Sequence, residues 1–159
     1  MATSNVAEAV RELTLARKIK APRELVFDAW INVKHLAEWW GPKAFTNPRC
    51  EIDARPGGAI RIDMRGPDGT VYPMTGRFVE IVRPKRLVFM TAAIDADGKP
   101  MFEVLNTVTF AKIEGGTEIA LSACVTSTTP AAPQYLAGMS EGWSQSLDRL
   151  AALVARLSR

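Results

Sequence analysis

The 159-residue chain has little of what most catalytic and metal-binding sites are made from: one histidine, His35, and two cysteines, Cys50 and Cys124. A Ser-His-Asp or Cys-His relay needs a histidine placed by the fold. His35 lies on the polar side of a short helical stretch that turns Leu36, Trp39 and Trp40 inward, which is the position of an exposed surface histidine. One histidine and two separated cysteines do not supply a usual zinc or iron ligand set, so no metal, no cofactor and no catalytic residue is expected. The cysteines lack C-x-x-C spacing and sit in strand-like segments, as packed free thiols of a reducing compartment do. No apolar run is long enough to span a bilayer. Met1 to Val10 has no positively charged start followed by an apolar stretch, so the cytoplasm is the expected location. Basic residues form no block: Lys34, Lys43, Arg55, Arg61 and Arg77 are scattered, and a net charge of +3 is modest. A nucleic-acid partner is therefore not expected.

What the chain does have is apolar residues in pattern. Hydrophobic residues make up 47 % of it, enough for one domain with one core. Residues 1–10 read as a tail and 11–159 as a single domain. Near the end, Leu136, Met139, Trp143, Leu147, Leu150, Val154 and Leu157 recur at steps of three and four. This predicts one helix from about Pro133 to the C-terminus with a single apolar face, roughly 35 Å long. Gly138, Gly142 and Ser146 border that face, leaving two readings open: close approach of another backbone, or room for a ligand. Charged residues along the same helix exclude a membrane dimer motif.

The rest of the chain supplies what could shield that face. Glu12 to Lys20 alternates as a strand, with Leu13, Leu15 and Ile19 on one side. Arg17 shares the leucine side, so it is either paired internally or placed at the rim of a sheet. Ala21-Pro22 and Glu24 open a helix carrying Val26, Phe27, Trp30 and Val33. A second short helix carries Leu36, Trp39 and Trp40 and ends at Gly41-Pro42. Strands are then predicted over 45–53, 59–65, 70–82, 86–93, 104–112 and 117–126. Their links are short and rich in glycine, proline and aspartate, at 55–58, 66–69, 83–85, 95–98 and 114–116. Pro73 and Gly76 predict a bulge or bend inside the strand over 70–82. Both faces of 70–82 and 86–93 are partly apolar, so parity does not say which side points inward there. Apolar residues left on the outer side would suit a homodimer contact. The whole is α+β, with about seven antiparallel strands and no long parallel crossover.

The order strand, Ala-Pro helix, Trp-Trp-Gly-Pro (39–42), Asp53 with Arg-Pro-Gly-Gly (55–58), Met-Arg-Gly-Pro-Asp-Gly (64–69), Gly76 with Glu80-Ile81, Arg86-Leu87-Val88-Phe89, Gly-Gly-Thr (115–117) and a final helix with Trp143 and Leu147-Asp148-Arg149-Leu150 resembles the AHSA1-like branch of the START/Bet v 1-like (SRPBCC) superfamily. The resemblance runs from about residue 11 to 158. It implies a helix-grip fold: a curved antiparallel sheet wrapped round a long C-terminal helix, with two short helices after the first strand. It also implies a cavity between sheet and helix of the kind that commonly holds lipids, sterols, polyketides or other apolar molecules. The eukaryotic activator that names the branch makes its Hsp90 contact through a separate N-terminal domain with no counterpart in this sequence, so an Hsp90 partner is not expected.

Against that frame the candidate ligand-cavity residues are Trp40, Phe45, Met64, Met74, Phe89, Met139 and Trp143. Aromatic rings line apolar pockets and methionines adapt to their contents. The expected partner is a small apolar or aromatic molecule, bound without reaction. Two alternatives stand beside it. One is an enzyme of cyclase or hydratase type that uses a carboxylate, Tyr72 or Tyr135 in the same cavity. The other is a chaperone-associated interaction module. The carboxylate pairs Glu51/Asp53 and Asp95/Asp97 read as a salt-bridged surface and a turn.

Overall fold

A computed structural model describes residues 12–128 and 138–158. Its elements in chain order are β1 (Glu12–Ile19), α1 (Arg23–Ile31), α2 (Val33–Trp39), β2 (Thr46–Ile52), β3 (Ala59–Arg65), β4 (Val71–Val82), β5 (Arg86–Ile94), β6 (Pro100–Ile113), β7 (Gly116–Thr128) and α3 (Met139–Leu157). The strands form one sheet in the order β1-β7-β6-β5-β4-β3-β2, with every neighbouring pair antiparallel. Hairpin links make β2 to β7 a meander, and β1 joins its far edge against β7. The α1–α2 pair carries the chain from one edge strand to the other. The proposed tail at 1–10 and the start of the predicted final helix, with Tyr135 and Leu136, lie outside the described residues.

Local chemistry explains the helical insert. Pro22 leads into α1 with Glu24 in the first turn, and Val26, Phe27, Ala29 and Trp30 are buried. Asn32 ends α1 and starts α2. Its backbone N–H donates to Asp28 O, and its side-chain oxygen accepts from the backbone N–H of Lys34 at 3.0 Å. An asparagine at that junction satisfies a donor that the first helical turn leaves free. Gly41, just past the end of α2, has φ +94°, a left-handed conformation that glycine adopts without strain.

Register settles the parity that the sequence left open. Phe78 lies opposite Phe89 and Ile81 opposite Leu87, and all four pack in the core. Val88 and Met90 therefore face outward. The inward residues of β4 change from even to odd numbers because the register shifts between Phe78 and Glu80. One extra residue in a strand flips every side chain beyond it. The bulge is thus at Val79 rather than at Pro73 or Gly76, as expected from composition. Gly76 has another reason to be glycine: a Cβ there would come within 2.0 Å of the Met90 carbonyl oxygen.

The final helix begins at Met139, with Gly138 as its N-cap, and Ser146, Leu147, Leu150, Leu153 and Val154 are buried. Leu157, assigned to the apolar face by its spacing, is 39 % exposed. Among the described residues the glycines serve no close backbone approach: a Cβ on Gly138 would meet nothing within 4 Å, and one on Gly142 only the Pro42 side chain at 3.8 Å. Arg17, on the inner face of edge strand β1, pairs with Asp148 of α3 and donates to Ser144 Oγ at 3.2 Å. Both readings of Arg17 hold at once: it is at the rim and it is paired.

Candidate functional site: the face between sheet and final helix

The inner face is not uniform. Towards α1 and α2 it is filled with rings. Trp30 sets its edge against Trp39, with centroids 4.6 Å apart, and stacks with Trp143 at 6.0 Å and 22°. Trp40 meets Trp143 edge-on at 5.3 Å and Phe89 at 6.2 Å. Such tilted and edge-on pairs are the favoured aromatic geometries. They leave a cavity of about 10 Å³, walled by Trp30, Leu36, Trp40, Ile52, Ile60, Ile62, Phe78, Leu87 and Phe89. That is about the room needed to hold one water.

The wall carries a single kind of polar atom, the indole nitrogen. Trp39, which packs on Trp30 behind the wall, donates its Nε1–H to Ala29 O at 2.9 Å. Trp30 is 2 % exposed, and its Nε1 is buried with no hydrogen-bond partner among the described residues. A buried donor left unpaired costs roughly 1–3 kcal/mol. Among the described residues the wall contains no carboxylate, histidine or tyrosine, so these side chains offer nothing for acid-base chemistry.

The candidate residues are distributed over three places. Trp40 and Phe89 stand on the cavity wall, and Trp143 lies across it, packed on the same core. Met74 is buried in that core, and Met64 packs against it half-buried. Phe45 is half-buried beside Tyr72, with ring centroids 6.0 Å apart. Met139 belongs to a separate apolar cluster with Val104, Ala123, Val125, Leu13 and Phe102. The residues that sequence reasoning passed over as site candidates include Trp30 and Asn106. Trp30 falls at the helical spacing of Val26, Phe27 and Val33. Asn106 is a polar residue on the buried parity of β6, between Val104 and Val108, and that parity was the available signal.

Charged groups border the face rather than line it. Arg149 of α3 donates to the carbonyl oxygens of Glu38 at 2.7 Å, Trp40 at 3.0 Å, Gly41 at 2.9 Å and Pro42 at 3.0 Å. It clamps the Trp-Trp-Gly-Pro turn onto the final helix, and burial draws its pKa below the usual arginine value. Cys50 faces inward from β2. Burial, and then the charge of Glu51, push its thiol up to about 11, so at neutral pH it is a protonated, unreactive packing group. His35 differs from expectation: it is half-buried, and its Nδ1 is enclosed without a partner among the described residues. Asp95 accepts from the backbone N–H groups of Asp97 and Lys99, and Glu51 and Asp53 pair with Arg49 and Arg55, as turn and surface roles require. Among the described residues, no three histidine, cysteine or acidic side chains gather as a metal site. A larger depression, about 350 Å³, lies on the outer face over Thr14, Ala16, Thr107, Thr109, Ala120 and Ser122. It is open to solvent and encloses nothing.

The profile of the family described as Activator of Hsp90 ATPase homolog 1-like protein matches residues 20–155. The chain belongs to this AHSA1-like family. Solved structures agree. A protein from Chromobacterium violaceum is 30 % identical, with 91 % of this chain and 96 % of that one covered and a TM-score of 0.76. One from Nitrosomonas europaea is 26 % identical over 93 % and 96 %, with a TM-score of 0.79. A protein from Silicibacter pomeroyi described as AHSA1 shares the fold at 24 % identity over 91 % and 97 %, with a TM-score of 0.76. No curated protein matches the chain. The seven-stranded sheet gripping a C-terminal helix is the helix-grip fold expected of an AHSA1-like chain. Among the described residues no helix is long and apolar enough to cross a membrane.

Proposed function

We propose that this AHSA1-like protein binds a small apolar or aromatic molecule between the sheet and α3, in the cytoplasm, without transforming it. The observation that carries the reading is Trp30. Its N–H is buried and unpartnered on an otherwise apolar wall, and a ligand with an acceptor atom removes that cost while burying its own apolar surface. The gain is about 25 cal/mol per Å² of apolar area taken from water. Superfamily relatives commonly keep apolar molecules in this space, which supports the same reading. A cavity of about 10 Å³ does not hold such a molecule, so binding requires rings to move. Trp143 is the mobile candidate, because it is only half-buried and closes the wall from the helix side. Trp40, Phe45, Met64, Met74, Phe89 and Met139 complete the proposed lining. The exposed apolar residues Val79 and Val82 of β4, at 45 % and 43 %, support a homodimer contact across the sheet, which sedimentation at high protein concentration tests; a monomer there counts against it.

The test of binding is native mass spectrometry of protein purified from its own host, followed by denaturing extraction. A defined apolar molecule at near-stoichiometric occupancy is the expected result. Empty protein that also fails to take up a neutral apolar fluorophore overturns the proposal.

A further inference from the structure

Asn106 is a buried amide on the apolar inner face whose oxygen accepts no hydrogen bond from the described residues. It stands on β6 opposite Phe89 of β5 and Ala123 of β7, and is 1 % exposed. Its Nδ2 donates to Thr91 Oγ1 at 3.0 Å and lies 3.3 Å and 3.4 Å from the carbonyl oxygens of Phe89 and Val104. Three acceptors around the nitrogen decide how the amide is turned, since the reversed amide would set Oδ1 against two carbonyl oxygens. Oδ1 therefore points away from them, and no hydrogen bond among the described residues reaches it. Thr91 Oγ1 accepts from Asn106, and among the described residues its own proton has no acceptor. On the same face, Val104 and Val108 flank Asn106, so a valine or leucine would fill this position without a desolvation cost.

An acceptor and a hydroxyl donor side by side are the complement of a hydroxyl group, which both donates and accepts. Charge narrows the class further. Arg17, the inward cation of β1, is taken by Asp148 and Ser144, and Arg149 by four backbone carbonyls. Neither of these two cations remains for a carboxylate, and a buried carboxylate without one is strongly disfavoured. We infer that Asn106 and Thr91 are the polar end of the ligand site, selecting neutral apolar molecules that carry a hydroxyl, alcohols or phenols, over fatty-acid anions and molecules without a donor. The apolar body lies along Val104, Ala123, Val125 and Met139, the second cluster of the inner face.

This rests on the proposal that the face binds apolar molecules, and the experiment separates the two. Displacement of N-phenyl-1-naphthylamine from the full chain is measured with 1-decanol, decyl methyl ether and decanoate. Decanol is expected to bind about tenfold tighter than either competitor, the size of one good hydrogen bond. Asn106→Leu removes the preference for decanol over the ether, with the melting temperature unchanged or higher. Thr91→Val, close to isosteric, lowers the preference about threefold and stands in if Asn106→Leu does not fold. Fluorophore displaced equally by alcohol and ether, or a preference that survives both variants, overturns the inference and leaves the binding proposal standing. No uptake of the fluorophore overturns both.

Discussion

At the α1–α2 end of the inner face, Trp30, Trp39, Trp40, Trp143, Phe89 and Phe110 contact one another with centroids 4.6 to 6.2 Å apart. At the other end, Val104, Ala123, Val125, Leu13, Phe102 and Met139 form a mainly aliphatic cluster beside a buried amide. The first end is a jigsaw of large rigid plates, in which each ring is held by several others. The second is made of small and flexible side chains, where a methionine can re-pack at little cost. Dense aromatic packing makes the first end the mechanical anchor of the fold. The second can re-pack around a change of volume. The same face is thus rigidly packed at one end and deformable at the other.

The separation is broken most directly at Trp30. Trp30→Ala is expected to cost about 3–5 kcal/mol in urea unfolding, because it removes the ring on which the others lean. Met139→Ala, in the second cluster, should cost no more than about 2 kcal/mol, since the side chain is only half-buried. Equal losses at the two sites would refute the division into anchor and adaptable end.

Arg149 joins the anchor to the helix that spans both ends. Arg149→Met leaves four carbonyls without their cationic donor and is expected to lower stability by about 2–3 kcal/mol. Arg149→Lys should recover less than half of that, because an ammonium does not reproduce the guanidinium fork. A lysine variant as stable as wild type would show that charge alone is needed.

At the rim, Asp148→Asn breaks the pair with Arg17, whose partners are both partly exposed. The expected loss is below about 1 kcal/mol and shrinks in high salt. A large, salt-independent loss would make the rim a third structural region rather than the border of the other two.

The smallest effect is at Cys50. Its thiol titrates near 11, against 9.0 for an unperturbed one. Between those values the unfolded chain gives up its proton first, so stability falls as pH rises through that window and is unaffected below it. Alkylation by iodoacetamide at pH 8 should accordingly be slow in the folded protein and fast in urea. Rapid alkylation of the folded protein at pH 8 would show that the β2 edge opens.

Much of this architecture was legible beforehand. Strict alternation in Leu13-x-Leu15 and Ile60-x-Ile62-x-Met64, and the three-and-four spacing of Leu147, Leu150 and Val154, are local patterns that report backbone period and buried side directly. The same kind of pattern contained Asn106, an amide in a row of inward valines, though nothing local said whether its oxygen would find a partner. Local reading failed where one residue changed the bookkeeping. Val79 shifts the parity of β4, so its two halves present opposite faces and the sequence shows apolar residues on both. It failed again at His35, which is half-buried where its place on the polar side of a short helix implied exposure.

By itself the sequence determined the elements, their order, the grip of sheet on helix and the family, because periodicity and turn chemistry act within a few residues. Only the tertiary structure decided how much space that grip leaves. Whether Trp30, Trp40, Phe89 and Trp143 line a chamber or fill it depends on the summed volume and tilt of rings brought together from α1, β5 and α3. At interior packing density, differences of a single side-chain volume decide between the two, and here the rings fill their end to about 10 Å³.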